Sequence, residues 1–301
     1  MLPIRDGVTA SQVALPAGHW PCMLDFLTQR FPKVTPADWL SRMDAGDVVD
    51  ASGHVVTAGH AYVPHGRLFY YRTVANESPN AAQATVIFED EHLVVADKPH
   101  FLPVTPSGQY LQETLLIRLR RQLGLPDLAP LHRIDRETAG VVLFGKQPGM
   151  RGAYQSLFAG RHVIKHYEAL ASSDARLQFP LSRTSTLLTS DHFMQMREAE
   201  APAGAKPNAH TDIELMETRG PWARYRLRPL TGKRHQLRVH MAALGLPILG
   251  DRIYPKLLEQ GGDETGNPLR LLAASIAFRD PLSGEERRFA SRRQLYFPGS
   301  S

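Results

Sequence analysis

The chain has 301 residues, 43% of them hydrophobic and 22% charged, with a formal net charge of +5. This composition belongs to a folded globular protein and excludes general disorder. A single cysteine, Cys22, excludes an intramolecular disulfide framework and any cysteine-based metal cluster. With no apolar run near ~20 residues and no basic-plus-apolar leader, the expected setting is the reducing cytoplasm, away from membranes.

Residues 1–19, with Pro3, Gly7, Pro16 and Gly18, read as an irregular tail. From 20 to 75 the pattern is that of a small α+β appendage. Met23, Leu24, Phe26, Leu27 and Phe31 fall on one helical face. A second helix starts at Pro36, with Thr35 as its N-cap and Trp39, Leu40 and Met43 as its buried side. Strand and turn follow over 46–53, then a strand pair through Tyr62 and 68–71. The polar run 76–84 reads as a linker.

The main domain is expected over 85–301. A hairpin with an acidic turn at Glu89-Asp90-Glu91 ends at Asp97-Lys98-Pro99. A helix over 111–123 puts Leu115, Leu116, Leu119 and Leu123 on one face and Arg118, Arg120 and Arg121 mainly on the rest. The stretch Leu131-His132-Arg133-Ile134-Asp135-Arg136-Glu137-Thr138-Ala139-Gly140, running into Val141-Val142-Leu143-Phe144, reads as strand, polar turn, strand. Asp135 lies between two arginines, and nearby guanidinium charge favours an ionised carboxylate. Such a group suits nucleophilic or electrostatic catalysis; a surface turn with a salt bridge is the plain alternative.

A helix over 150–159 stops at Gly160, and a strand over 162–170 puts Lys165 and Tyr167 on one face. Residues 182–208 are polar with little periodicity and read as a long surface excursion. Strands resume at 211–215 and 223–227, where Arg224, Arg226 and Arg228 share a face. His235 to Leu244 reads as a helix with Leu237, Met241 and Leu244 inward and Arg234 and Arg238 neighbours on one side. The arginine clusters at 118–121, 224–228 and 287–293 suit phosphates, or a solvated basic surface.

Gly232-Lys233 lacks the spacing and hydroxyl of a phosphate loop, and His235 and His240, five apart, make no zinc pattern. The fold these elements suggest is α+β, a mixed, largely antiparallel central sheet with flanking helices, because strands follow one another through hairpins.

His132 to Gly140 resembles the His-Arg-Leu-Asp-x-x-Thr-Ser-Gly motif of RluA-type pseudouridine synthases, with Ile134 for Leu and Ala139 for Ser. Asp97-Lys98-Pro99 is similar to their Asn-Lys-Pro motif, and Lys165-His166-Tyr167 to their Lys-x-Tyr strand. Thr231 to His240 is similar to their Thr-Gly-Arg-x-His-Gln-Ile-Arg-Val-His stretch, with Lys233 for Arg, and Pro247 to Asp251 completes the set. The four motifs stand in order over 85–295. More faintly, 20–75 resembles an S4-like RNA-binding domain.

The resemblance implies the pseudouridine synthase catalytic fold and cofactor-free isomerisation of uridine in tRNA or rRNA by a monomer, with no metal. By position Asp135 is the essential carboxylate, Tyr167 stacks on the flipped base and helps remove the C5 proton, and Arg238 pairs with Asp135. Arg133 fills the gap left by the nucleotide, and His132, Lys98, Thr138, Lys165, Leu237, Arg234 and His235 line the substrate site. Two other readings stay open: an RNA-binding module of this fold without turnover, and a hydrolase of glycosidic bonds using Asp135 with Glu137.

Overall fold

The computed structural model describes residues 3–74, 77, 79–199, 204–258 and 266–299; of the expected linker, Asn76 and Ser78 lie outside the described residues. The chain forms two compact units, Met1–Ser78 with Pro106–Pro126, and Pro79–Thr105 with Asp127–Ser301.

The first unit contains β1 (Ser11–Ala14), α1 (Met23–Arg30), α2 (Pro36–Asp44), β2 (Val48–Asp50), β3 (Arg67–Tyr70) and α3 (Leu115–Leu123). Its antiparallel sheet runs β1-β3-β2, so the segment read as an irregular tail supplies a strand. Four residues are too few for periodicity to reveal it, and its partner lies more than fifty residues away. Thr35 caps α2 as expected, in a capping box with Asp38, ahead of Pro36. Trp39 and Met43 are buried, whereas Leu40 is 37% exposed. Helix α3, inside the span read as 85–301, belongs to this unit. Arg120 donates to the Gly7 carbonyl at 2.7 Å, Arg121 bonds the Asp6 carbonyl and Gln112, and Arg118 pairs with Glu113. Three arginines expected to meet phosphate are therefore engaged internally.

The second unit contains β4 (Thr85–Glu89), β5 (Leu93–Lys98), β6 (Ala129–Pro130), β7 (Ala139–Gly145), α4 (Pro148–Ala159), β8 (Ile164–Ser172), β9 (Leu181–Thr189), β10 (Met196–Ala199), β11 (Ala209–Arg219), β12 (Trp222–Pro229), α5 (Gln236–Ala243), β13 (Leu271–Arg279) and β14 (Glu286–Ala290). Among the described residues its sheet has eleven strands in the order β10-β9-β11-β12-β8-β13-β7-β5-β4, with β14 on β13 and β6 on β7. Every described pairing is antiparallel except β7 with β13. The mixed, largely antiparallel sheet with flanking helices is thus as expected. At the parallel pairing Gly140 has φ +114°, and a Cβ there would lie 2.2 Å from the Ala273 carbonyl oxygen, so only glycine fits.

The excursion expected over 182–208 is instead largely the hairpin β9–β10, paired Met196 to Thr189 through Ala199 to Thr186. Its Ser, Thr and Arg content hides it, because an edge hairpin buries few apolar side chains to mark a period.

Strand β8 passes between two cores. Val163, just before it, packs with Tyr154 of α4, Leu131, Val141 and Ile276. Ala169 and Ala171 pack with Leu237 and Met241 of α5, Tyr225 and Leu227. Lys165 lies between, and Tyr167 packs against the edge of the second core. No helix among the described residues is long and apolar enough to cross a membrane.

Candidate active site

The β6–β7 connection is the polar turn expected at Asp135. The Asp135 carbonyl accepts the Thr138 N–H at 3.2 Å. Lys98, wholly buried at the end of β5, braces the turn from behind: its ammonium donates to the carbonyls of Pro99, Leu102 and Arg136 at 2.9, 2.7 and 2.9 Å. Burial pushes its pKa down to about 7, against the pull of Glu137 and Asp135. Asp97 beside it accepts Ser291 Oγ and the Arg292 N–H, both at 2.8 Å.

His132 is also a brace. Its Nε2 accepts the Leu143 N–H at 3.1 Å and its ring stacks on Phe158, centroids 5.0 Å apart. Burial, helped by the Lys165 charge, pushes it down to about 3, so the imidazole is neutral.

Tyr167 faces Asp135 from β8. Burial, reinforced by the Asp135 charge, raises the Tyr167 phenol far above its ordinary range, so it stays protonated. Lys165 donates to the Thr231 carbonyl at 3.2 Å, and burial lowers its pKa. The loop from Thr231 into α5 is fixed by Gln236, which accepts from Thr231 Oγ1 and the Lys233 N–H and donates to the His210 carbonyl and Thr211 Oγ1. His235 occupies the N-cap in the left-handed region, φ 54°.

Arg238 is 1% exposed. Its Nε and Nη2 grip Asp251 at 2.8 and 2.7 Å. Its remaining nitrogen, Nη1, stands 3.6 Å from Asp135 Oδ2 and 3.8 Å from Glu137 Oε2, with no hydrogen-bond partner. The expected pairing with Asp135 therefore exists as a charge contact, while the hydrogen bonds go to Asp251. Burial works against the Arg238 charge, but Asp251, with Asp135 and Glu137, outweighs it. Burial likewise pushes Glu137 up, and the charges of Arg136 and Arg238 bring it below its ordinary range.

Asp135, Tyr167, Lys165, Gln236 and Arg238 line a cavity of about 780 Å³. Of the residues read from the sequence, His132, Arg133, Asp135, Thr138, Lys165, Tyr167, His235, Leu237 and Arg238 line it; Lys98 and Arg234 do not. Arg234 precedes α5, so the helical spacing that paired it with Arg238 does not apply. It donates to the carbonyls of Phe193 and Met194 at 2.8 and 3.2 Å.

Three exposed cations stand at the cavity rim, Arg133, Arg161 and Lys233. The clusters expected to meet phosphate are largely engaged: Arg224 with Glu168, Arg226 with Glu214, Arg287 with Asp280 and Asp90, and Arg293 with Asp97. Sequence reasoning gave no role to Asp251, Tyr254 or Arg161. Asp251 stood inside a quoted motif, but its partner could be seen only in three dimensions.

The sequence pattern of the RNA pseudouridylate synthase family matches residues 92–243. The chain belongs to that family. It is similar to tRNA pseudouridine synthase C of Vibrio vulnificus, 32% identical over 67% of this chain and 87% of that protein. It is also similar to the dual-specificity RNA pseudouridine synthase RluA of Pasteurella multocida, 29% identical over 71% of this chain and 94% of that protein. The solved structure of human RNA pseudouridylate synthase domain containing 4 superposes with a TM-score of 0.54, at 26% identity, covering 70% of this chain and 88% of that one. Some relatives are longer, and the match spans 34% of human pseudouridylate synthase RPUSD2. This synthase is thus of the RluA type, an enzyme that isomerises uridine in RNA, and its cavity is the candidate active site.

Proposed function

We propose that this synthase takes uridine from structured tRNA or rRNA into the cavity and isomerises it there with Asp135 as the attacking carboxylate. The observation that carries the reading is one partly open carboxylate with a buried guanidinium 3.6 Å behind it and an aromatic face beside it. A cavity of this size suits one extruded nucleotide. Arg133 on the rim fills the gap left in the RNA, and Arg161 and Lys233 meet phosphates.

Asp135 attacks the ribose or the uracil ring, and the bond from C1′ to N1 breaks. The detached base turns against Tyr167, which offers a stacking surface. As C1′ joins C5 the bond to Asp135 breaks and frees the carboxylate. The C5 proton is then taken up on the Tyr167 hydroxyl oxygen while that hydroxyl gives its own proton to solvent, and N1 takes up a proton in place of its lost bond to C1′. Atoms balance without a co-substrate, so the reaction needs no cofactor. Arg238 sets its positive charge 3.6 Å behind the Asp135 carboxylate and fixes its orientation for attack. Thr138, Lys165, Leu237, His132 and His235 shape the cavity, while Lys98 and Arg234 act on it through the turn and rim they hold.

A hydrolase of the glycosidic bond would need a second carboxyl group that is protonated at neutral pH. Glu137 is the nearest, and Arg136 and Arg238 hold it ionised. In this reading the enzyme acts as a monomer in the cytoplasm.

The test is carbodiimide mapping of pseudouridine in RNA from cells with and without this chain. The expected result is loss of signal at one or a few tRNA or rRNA positions. Unchanged maps in both RNA classes contradict the proposal.

A further inference from the structure

Behind Asp135 lies a second hydrogen-bond chain. Tyr254, 6% exposed, accepts the Met196 N–H on its hydroxyl oxygen at 2.7 Å, and that oxygen lies 3.0 Å from His235 Nδ1. Among the described residues the hydroxyl's lone proton then has one acceptor in reach, His235 Nδ1. With Nδ1 accepting, the proton of the neutral ring sits on Nε2, and Nε2 stands 4.0 Å from Asp135 Oδ2. The Tyr254 ring also lies under the Arg238 guanidinium, 5.5 Å from Cζ, and its N–H is bound by Asp251 at 3.0 Å.

Two donors therefore converge on the same carboxylate oxygen, Arg238 Nη1 at 3.6 Å and His235 Nε2 at 4.0 Å. Both stand just beyond hydrogen-bond length. We propose that Tyr254 is a positioning residue. Its hydroxyl locks His235 in the Nε2–H tautomer, so that His235 and Arg238 hold Oδ2 of Asp135 and leave Oδ1 to meet the substrate. The role rests on Asp135 being the attacking group.

The charged and titratable groups facing His235 are Asp135, Arg238, Arg234 and Glu137, with Tyr254 on its other side. Burial, the largest influence, keeps the ring neutral, and the two arginines act in the same direction against the two carboxylates. A neutral ring has one N–H, so its tautomer decides whether Asp135 meets a donor or a lone pair.

The direct test is nitrogen-15 NMR of the histidines in the full chain at neutral pH, without RNA, with His235 assigned by its loss in His235→Gln. The expected signal is protonated Nε2 and bare Nδ1, turning into a tautomer mixture in Tyr254→Phe. Tritium release from total tRNA and rRNA carrying 5-tritiated uridine supplies the kinetic arm. Tyr254→Phe should lower kcat about tenfold with KM unchanged.

A second pair of variants separates donor from backbone roles. Glutamine sets an N–H near the position of Nε2, whereas asparagine cannot reach it but tolerates the left-handed N-cap better. Both variants should lose activity, His235→Asn at least tenfold more than His235→Gln. A protonated Nδ1 in the parent, an unchanged tautomer in Tyr254→Phe, or asparagine outperforming glutamine overturns the proposal. Turnover surviving Asp135→Asn would instead remove the catalytic reading, and the tautomer measurement is independent of that result.

Discussion

The guanidinium of Arg238 gives both of its hydrogen bonds to Asp251, at 2.7 and 2.8 Å, and both side chains are about 1% exposed. Asp251 in turn binds the N–H groups of Ile253 and Tyr254. The cation facing Asp135 is thus fixed from behind by a fork that leaves one nitrogen for the catalytic side.

Replacing Asp251 with Asn should leave a buried guanidinium without its counter-charge. The expected losses are roughly 3 kcal/mol of folding stability and about 100-fold in kcat, with RNA affinity within about tenfold because phosphate contacts dominate binding. Arg238→Lys should not rescue activity, since one ammonium cannot grip Asp251 and face Asp135 together. Urea unfolding and tritium release check both.

Lys98→Met should act on stability before chemistry. It strands the buried carbonyls of Pro99 and Leu102 and the half-buried one of Arg136, at a cost of about 2–4 kcal/mol. The Arg136 carbonyl belongs to the Asp135 turn, so kcat should also fall, while wild-type urea midpoints would contradict the bracing role.

Acid should destabilise the fold through two neutral histidines. His132 and His240 are pushed down by burial to about 3 and about 4, whereas both take a proton near 6.5 when unfolded. Between these values the unfolded chain binds more protons. The contribution of these two histidines is therefore full above pH 6.5 and declines as pH falls toward 4, by about 1.4 kcal/mol per pH unit for each histidine. His132→Gln, which keeps an acceptor for the Leu143 N–H, should remove one histidine's share of that slope. Urea midpoints from pH 7 to 4.5 measure it, and stability independent of pH across that range would contradict the assignment.

The Asp135 turn was legible because charges and Thr-Ala-Gly interrupt two apolar runs, and Tyr167 because alternation along one strand fixes its face. The order of motifs carried the family. The Arg238–Asp251 grip was not legible: both residues stood in view, but nothing local says which carboxylate an arginine chooses. Lys98 was read as a substrate ligand because sequence cannot tell an ammonium aimed at a cavity from one spent on three carbonyls. Arg234 was misassigned by the helix start, since the left-handed residue His235 breaks the spacing on which the pairing relied. The β9–β10 hairpin is hidden because its polar Ser, Thr and Arg residues fall on buried and exposed positions alike, so hydropathy shows no period.

The most direct measurement is tritium release from 5-tritiated uridine in total tRNA and rRNA by Asp135→Asn beside the parent chain, with RNA affinity measured on the same samples. Asparagine keeps the size and removes the charge. Abolished release with affinity within about tenfold is the expected result. Release at the parent's rate, or free uracil as the parent's product, would contradict the assignment of Asp135 as the attacking group of an isomerase.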